Sequence, residues 1–98
     1  MEEKIKEILK KNINSIVPFY LMLSYGYYCL DESIVSDKFY DGLAKIFLGH
    51  YDKLKHRHKE LISKEDLKSG TLYGLRENDY PLIARSSYNQ FINENKEF

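Results

Sequence analysis

One cysteine and no surplus of either charge set the first limits on this chain of 98 residues. The lone thiol, Cys29, excludes an internal disulfide framework and fits a reducing compartment, so a cytoplasmic location is expected. Fifteen basic residues balance fifteen acidic ones, which argues against nucleic acid or a membrane surface as the default partner. The N-terminus, Met1-Glu2-Glu3-Lys4-Ile5-Lys6, alternates in charge and carries no apolar core of the signal type. Residues 16–30 lack charge, but fifteen residues containing Pro18, Gly26 and four tyrosines fall short of a membrane span. No internal repeat or low-complexity run interrupts the chain. A single domain, 1–98, is expected, near the lower size at which a core holds without disulfides or metals. Self-association is one compatible way to bury more surface.

What is present is helical periodicity. Ile5, Ile8, Leu9 and Ile13 recur at i, i+3, i+4 and i+8 among lysines and glutamates, the pattern of an amphipathic helix. Ser15 is the expected cap of a second segment, 16–29, with Pro18 in its first turn. A single helix kinked at Pro18 fits as well. This segment is apolar nearly all round and is expected to be the central helix. A third helix from Asp37 to about Arg57 places Tyr40, Leu43, Ala44, Phe47, Tyr51 and Leu54 on one stripe. Ser63-Lys64-Glu65-Asp66 reads as a capping box with Asp in place of Glu, opening one short turn that Ser69-Gly70 closes. Thr71-Leu72-Tyr73-Gly74-Leu75 suggests a short extended piece, and Asn78-Asp79-Tyr80-Pro81 the cap and first turn of a last helix. That helix carries Leu82, Ile83, Tyr88, Phe91 and Ile92, and residues 93–98 are expected to fray. The expected class is all-α: three long helices, the apolar one between the other two, plus a C-terminal helical extension.

The stretch 27–41 concentrates candidate chemistry. After Tyr27 and Tyr28 the apolar pattern stops at Asp31-Glu32-Ser33; Ser36 then reads as an N-cap, with Asp37 at the positive end of the helix dipole. Asp37, Tyr40 and Asp41 share one helical face at i, i+3 and i+4, and a short loop sets the two earlier tyrosines opposite it. A cleft with aromatic walls and acidic edges suits a flat cationic ring bearing hydroxyls or an amide, and suits a bare anion badly. The bland alternative is that Asp37 is a helix-end charge, Asp31 a turn residue and the tyrosines core walls with wet hydroxyls.

The same residues resemble the N-terminal helical domain, Ia, of bacterial NAD-dependent DNA ligases. That domain carries Tyr-(His)-x-x-Asp-x-Pro-x-x-(Ser/Pro)-Asp-x-x-Tyr-Asp, and Tyr27, Asp31, Ser36, Asp37, Tyr40 and Asp41 stand here at the same spacing. Arg57-His58-Lys59-Glu60-Leu61 is similar to the family's Lys-His-Pro-Glu-Leu. The resemblance covers about residues 5–65; residues 70–98 are a C-terminal extension without it. It implies binding of the nicotinamide mononucleotide half of NAD, with Tyr27 and Tyr40 flanking the nicotinamide ring and Asp37 and Asp41 holding carboxamide or ribose hydroxyls. Tyr28 replaces the family's His, which removes a positive phosphate contact, and Ser33 replaces its Pro. The catalytic Lys-x-Asp-Gly is missing: Lys38-Phe39-Tyr40-Asp41-Gly42 is one residue too long. A non-enzymatic binder of NAD, the mononucleotide or an NAD-derived signal is therefore expected, with no required cofactor. Small stand-alone relatives of this domain resemble phage-encoded proteins, for which sequestering a host-defence signal is a fitting role. Two other functions stay open: an interaction or inhibitor module that keeps the fold without the ligand and binds a host protein, and a detached ligase subunit acting in trans.

Other chemistry finds less support in the residues. The histidines His50, His56 and His58 lack zinc-ligand spacing, since an i, i+2 pair points to different sides of a helix. No phosphate-cradling glycine loop or recognisable Ser/His/Asp set occurs. The basic run 53–59 reads as a solvated helix end.

Overall fold

The computed structural model describes residues 2–32, 34–56, 58–69, 75 and 77–95, without the side chains at 77, 83 and 91–95. Among the described residues five α-helices follow one another: α1 (Glu2–Lys11), α2 (Ile16–Cys29), α3 (Asp37–His50), α4 (Lys64–Ser69) and α5 (Leu82–Asn95). Among the described residues there is no strand, and the all-α class holds.

Helix α2 organises the core because its sequence leaves no polar face. Residues 20–26 are buried without interruption, and the helix packs mainly against α5 and α3. Thus α5 is a full partner of the core rather than an appendage. Tyr80 and Tyr88 bring their rings edge-on to Tyr25 at 5.5 and 5.9 Å. Helix α1 contributes fully buried Ile5 and is joined to α2 through a 3-10 turn, Ile13–Ser15.

Several local expectations need correction. Ser15 makes no capping bond to α2; Asn12 acts instead, its side chain accepting from the Asn14 N–H at 3.1 Å with an extended backbone that separates α1 from α2. The first two helices are therefore distinct, and Ile13 lies in the turn between them. Helix α3 stops at His50 rather than near residue 57, which is outside the described residues. A 3-10 turn, Tyr51–Lys53, follows, yet Leu54 is still buried because the turn carries it back to the core. In α5, Leu82 is 69% exposed, and among the described side chains the buried ones are Ala84 and the expected Tyr88, at i and i+4. The helix itself starts after Pro81, whose carbonyl accepts from the Ala84 and Arg85 N–H groups. It continues to Asn95, past the expected fraying point. The capping box is present: the Ser63 hydroxyl accepts from the Asp66 N–H and the Asp66 carboxylate from the Ser63 N–H, both at 3.1 Å. The suggested extended piece at 71–74, Gly70, the Phe91 and Ile92 side chains and the Ser33 departure lie outside the described residues.

The end of α3 is held from a distance. The Lys59 ammonium donates to the carbonyls of Tyr51 and Leu54, both at 3.0 Å, and lies 4.9 Å from the Tyr51 ring centroid. A cation is favoured at this end of a helix dipole. Charge-assisted bonds contribute more than neutral ones, so Lys59→Met is expected to destabilise the protein by about 1.5 to 2 kcal/mol, read as a lower urea midpoint with an unchanged slope.

Candidate functional site

The link between α2 and α3 is fixed by backbone chemistry. The Leu30 and Glu32 N–H groups both return to the Gly26 carbonyl, at 3.2 and 2.9 Å. To make that reversal Asp31 adopts φ 53°, in the left-handed region that Asp tolerates better than most residues. Asp31 thus has a backbone role at the end of α2, with an exposed side chain. Ser36 caps α3, its hydroxyl accepting from the Phe39 N–H at 3.1 Å. The reciprocal bond of a capping box comes from another helix: the Glu2 carboxylate accepts from the Ser36 N–H at 2.9 Å. Helix α1 therefore pins the start of α3.

On this frame three rings form a column running from solvent to core. Tyr27, 46% exposed, lies with its centroid 6.3 Å from that of Tyr40 and tilted by 33°. Tyr40 stacks on the fully buried Tyr20 at 4.7 Å and 15°. Tyr28 stands edge-on to Tyr27 at 4.8 Å. The Tyr40 hydroxyl shares a hydrogen bond with that of buried Ser24. Asp37 and Asp41 are exposed, one turn apart on the same helix as Tyr40.

The structure brings Tyr27 and Tyr40 together, while Asp37 and Asp41 are exposed on the helix that carries Tyr40. What sequence reasoning missed is the floor: Tyr20 and Ser24. Their signal is a hydroxyl-bearing stripe on α2, Tyr20, Ser24, Tyr27 and Tyr28 at i, i+4, i+7 and i+8, hidden because the whole helix reads as apolar.

Burial governs the ionisation of this floor. It pushes the Tyr20 phenol up to about 12, with the Tyr40 phenol partly offsetting it. Burial first, and then Tyr20 alongside, raises Tyr40 further still. Both rings are therefore neutral across the physiological range.

The Tyr27 and Tyr40 centroids, 6.3 Å apart, are closer than the walls of a slot for a third ring. Two stacking contacts at about 3.5–4.0 Å each need walls about 7–8 Å apart, so Tyr27 has to move outward by about 1 Å and flatten its tilt. Its exposure and its place in the last turn of α2 allow that movement.

Elsewhere, the His58 N–H donates to His56 Nδ1 at 3.1 Å, and His50 Nδ1 lies 3.0 Å from the Ile46 carbonyl. Among the described residues no group of three His, Cys, Asp or Glu side chains is placed to hold a metal, and no helix is long and apolar enough to cross a membrane. Comparisons with protein-family models, curated proteins and solved structures find no match to this chain.

Proposed function

We propose that this chain binds the nicotinamide half of a nicotinamide nucleotide against the outer face of Tyr40. The observation that carries this reading is the Tyr27–Tyr40–Tyr20 column, which offers one ring backed by the core and one exposed ring able to close over a guest. Asp37 and Asp41 supply hydrogen-bond acceptors for the carboxamide and ribose hydroxyls, and negative charge toward a cationic pyridinium. The spacing shared with the NAD-dependent ligase domain Ia supports the same assignment. Without a Lys-x-Asp-Gly motif the chain holds the nucleotide rather than turning it over, which suits sequestration of an NAD-derived signal by a phage protein or presentation of the site to a partner.

Tyr27→Ala tests the assignment most cleanly, because Tyr27 is the exposed wall while Tyr40 also supports the core through Tyr20 and Ser24. Losing one cation–π wall is worth about 1 to 2 kcal/mol, so the mononucleotide should bind roughly five- to thirtyfold more weakly by calorimetry. Asp41→Asn should weaken binding with the helical signal unchanged. Lys53→Ala, in the exposed turn after α3, should bind as wild type. Equal affinity in Tyr27→Ala and wild type would remove Tyr27 from the site.

A further inference from the structure

Helices α1 and α3 lie side by side and run in the same direction. The Glu2 carboxylate meets the Ser36 N–H at their starts, and beyond their ends the Asn14 side chain accepts from the Lys55 N–H at 2.9 Å. Charge is sorted along the pair. Glu2, Glu3 and Asp37 stand in the first turns; Lys10 and Lys11 close α1, and His50 closes α3 ahead of exposed Lys53 and Lys55. The two helix dipoles point the same way and add to this sorting. Between the helices runs a groove of about 330 Å³, lined almost wholly by the apolar Leu9, Phe39, Leu43 and Ile46. Ile46 remains 42% exposed, and Gly42 leaves the groove open, since a Cβ there meets nothing within 4 Å. At the rim Lys38 is exposed, while Lys6 is held by Glu3 at 3.4 Å and lies 5.8 Å from the Phe39 centroid.

We infer that this face docks a second copy of the chain about a two-fold axis, with α1 and α3 of one copy antiparallel to those of the other. The inference is independent of nucleotide binding, which is proposed on the α2 side of α3. Charge selects both the occupant and its direction. An antiparallel copy sets the acidic start of each helix pair over the basic end of the other, twice, whereas a parallel copy sets like charge on like. The apolar part is self-complementary as well, as a two-fold contact requires: each copy carries a groove and a projecting Ile46 to enter the partner's groove. Two such helices, of 10 and 14 residues, make a face of roughly 20 by 20 Å. That is smaller than the interfaces of permanent dimers, so the copies exchange with concentration.

Sedimentation equilibrium of the full chain is the test. Wild-type protein should pass from monomer to dimer as its concentration rises through the micromolar range. Ile46→Glu, at a site already exposed in the monomer, should keep the helical signal and weaken dimerisation at least about a hundredfold, because each copy then buries an unpaired charge. Two further variants read the direction. Glu3→Lys alone, and Lys11→Glu with Lys55→Glu alone, should each weaken dimerisation by setting like charges opposite one another. An equimolar mixture of the two should dimerise again, since each reversed end then meets its opposite. Wild-type protein that stays monomeric throughout that range overturns the inference, and so does a dimer that survives Ile46→Glu. A mixture that remains monomeric overturns the antiparallel pairing, and the inference with it.

Discussion

Replacing Gly26 by alanine should destabilise the protein by about 3 kcal/mol, the upper end of the range for overpacking a well-filled core. Alanine is the better helix former by about 1 kcal/mol, so a substitution within α2 would otherwise be expected to stabilise. At position 26 the added methyl carbon falls 2.3 Å from Tyr88 Cε2 and 2.6 Å from its Cζ. The ring has no open side to yield toward: Tyr88 is 1% exposed, packs edge-on to Tyr25 and donates its hydroxyl to Glu32 at 3.2 Å. Gly26 is therefore a point where α2 receives the Tyr88 ring of α5 against its bare backbone. Two other glycines supply the comparison. At Gly42 and Gly49 an added Cβ meets nothing within 4 Å, so Gly42→Ala and Gly49→Ala should raise stability by about 0.5 to 1 kcal/mol each. Denaturant midpoints shifting in the same direction for all three variants would contradict this account of α2–α5 packing.

The second large effect is alkaline unfolding. Four phenols are raised above their ordinary value, each first by burial: Tyr20 and Tyr88 to about 12, Tyr40 and Tyr80 further. After burial, the Glu32 carboxylate adds to the rise at Tyr88, and Cys29 leads the charge effects on Tyr80. A folded-state value above the unfolded value of about 10 means that the stabilisation is complete below pH 10 and lost as pH rises toward the folded value. For Tyr20 alone, discounted for solvent screening, that loss is about 2 kcal/mol between pH 10 and 12. With the other three tyrosines moving the same way, the sum reaches the few kcal/mol that hold a small domain together. The protein should stay folded to about pH 10 and then unfold cooperatively within about one to two pH units. Tyrosinate absorbance should rise together with loss of the helical signal. A smooth tyrosinate titration centred near pH 10, with the helices intact, would show the phenols to be open to water.

The sequence-to-structure relation follows how local each signal is. Segment 16–29 was legible because its apolar residues run all round, and it is α2 to the residue. Ser36 and the Ser63–Asp66 box were legible because a cap is a contact between residues three apart. The end of α3 was not. Phe47, Tyr51 and Leu54 keep helical spacing across it, while the ammonium that secures the break belongs to Lys59. Ser15 resembled a cap because serine often is one, but Asn12, three residues earlier, had already turned the chain. In α5 the expected stripe included Tyr88, which is buried, but it missed the small buried Ala84 and took in Leu82, which lies outside. At the candidate site, helical spacing put Asp37, Tyr40 and Asp41 within one turn of each other, and in the structure Tyr40 packs inward on Tyr20 while the two carboxylates are exposed. The stack of Tyr40 on Tyr20 and the Glu2 bond to Ser36 depend on how helices meet, which periodicity within one segment does not encode.

The most direct measurement of the central claim is a titration of the unmodified protein with nicotinamide mononucleotide and NAD, followed through the tyrosine ring resonances. A nicotinamide ring on the outer face of Tyr40 should shift the Tyr27 and Tyr40 signals saturably. Tyr25, Tyr80 and Tyr88, on the α5 side of the core, should stay in place. Rings that remain unshifted at millimolar nucleotide would contradict the proposed site.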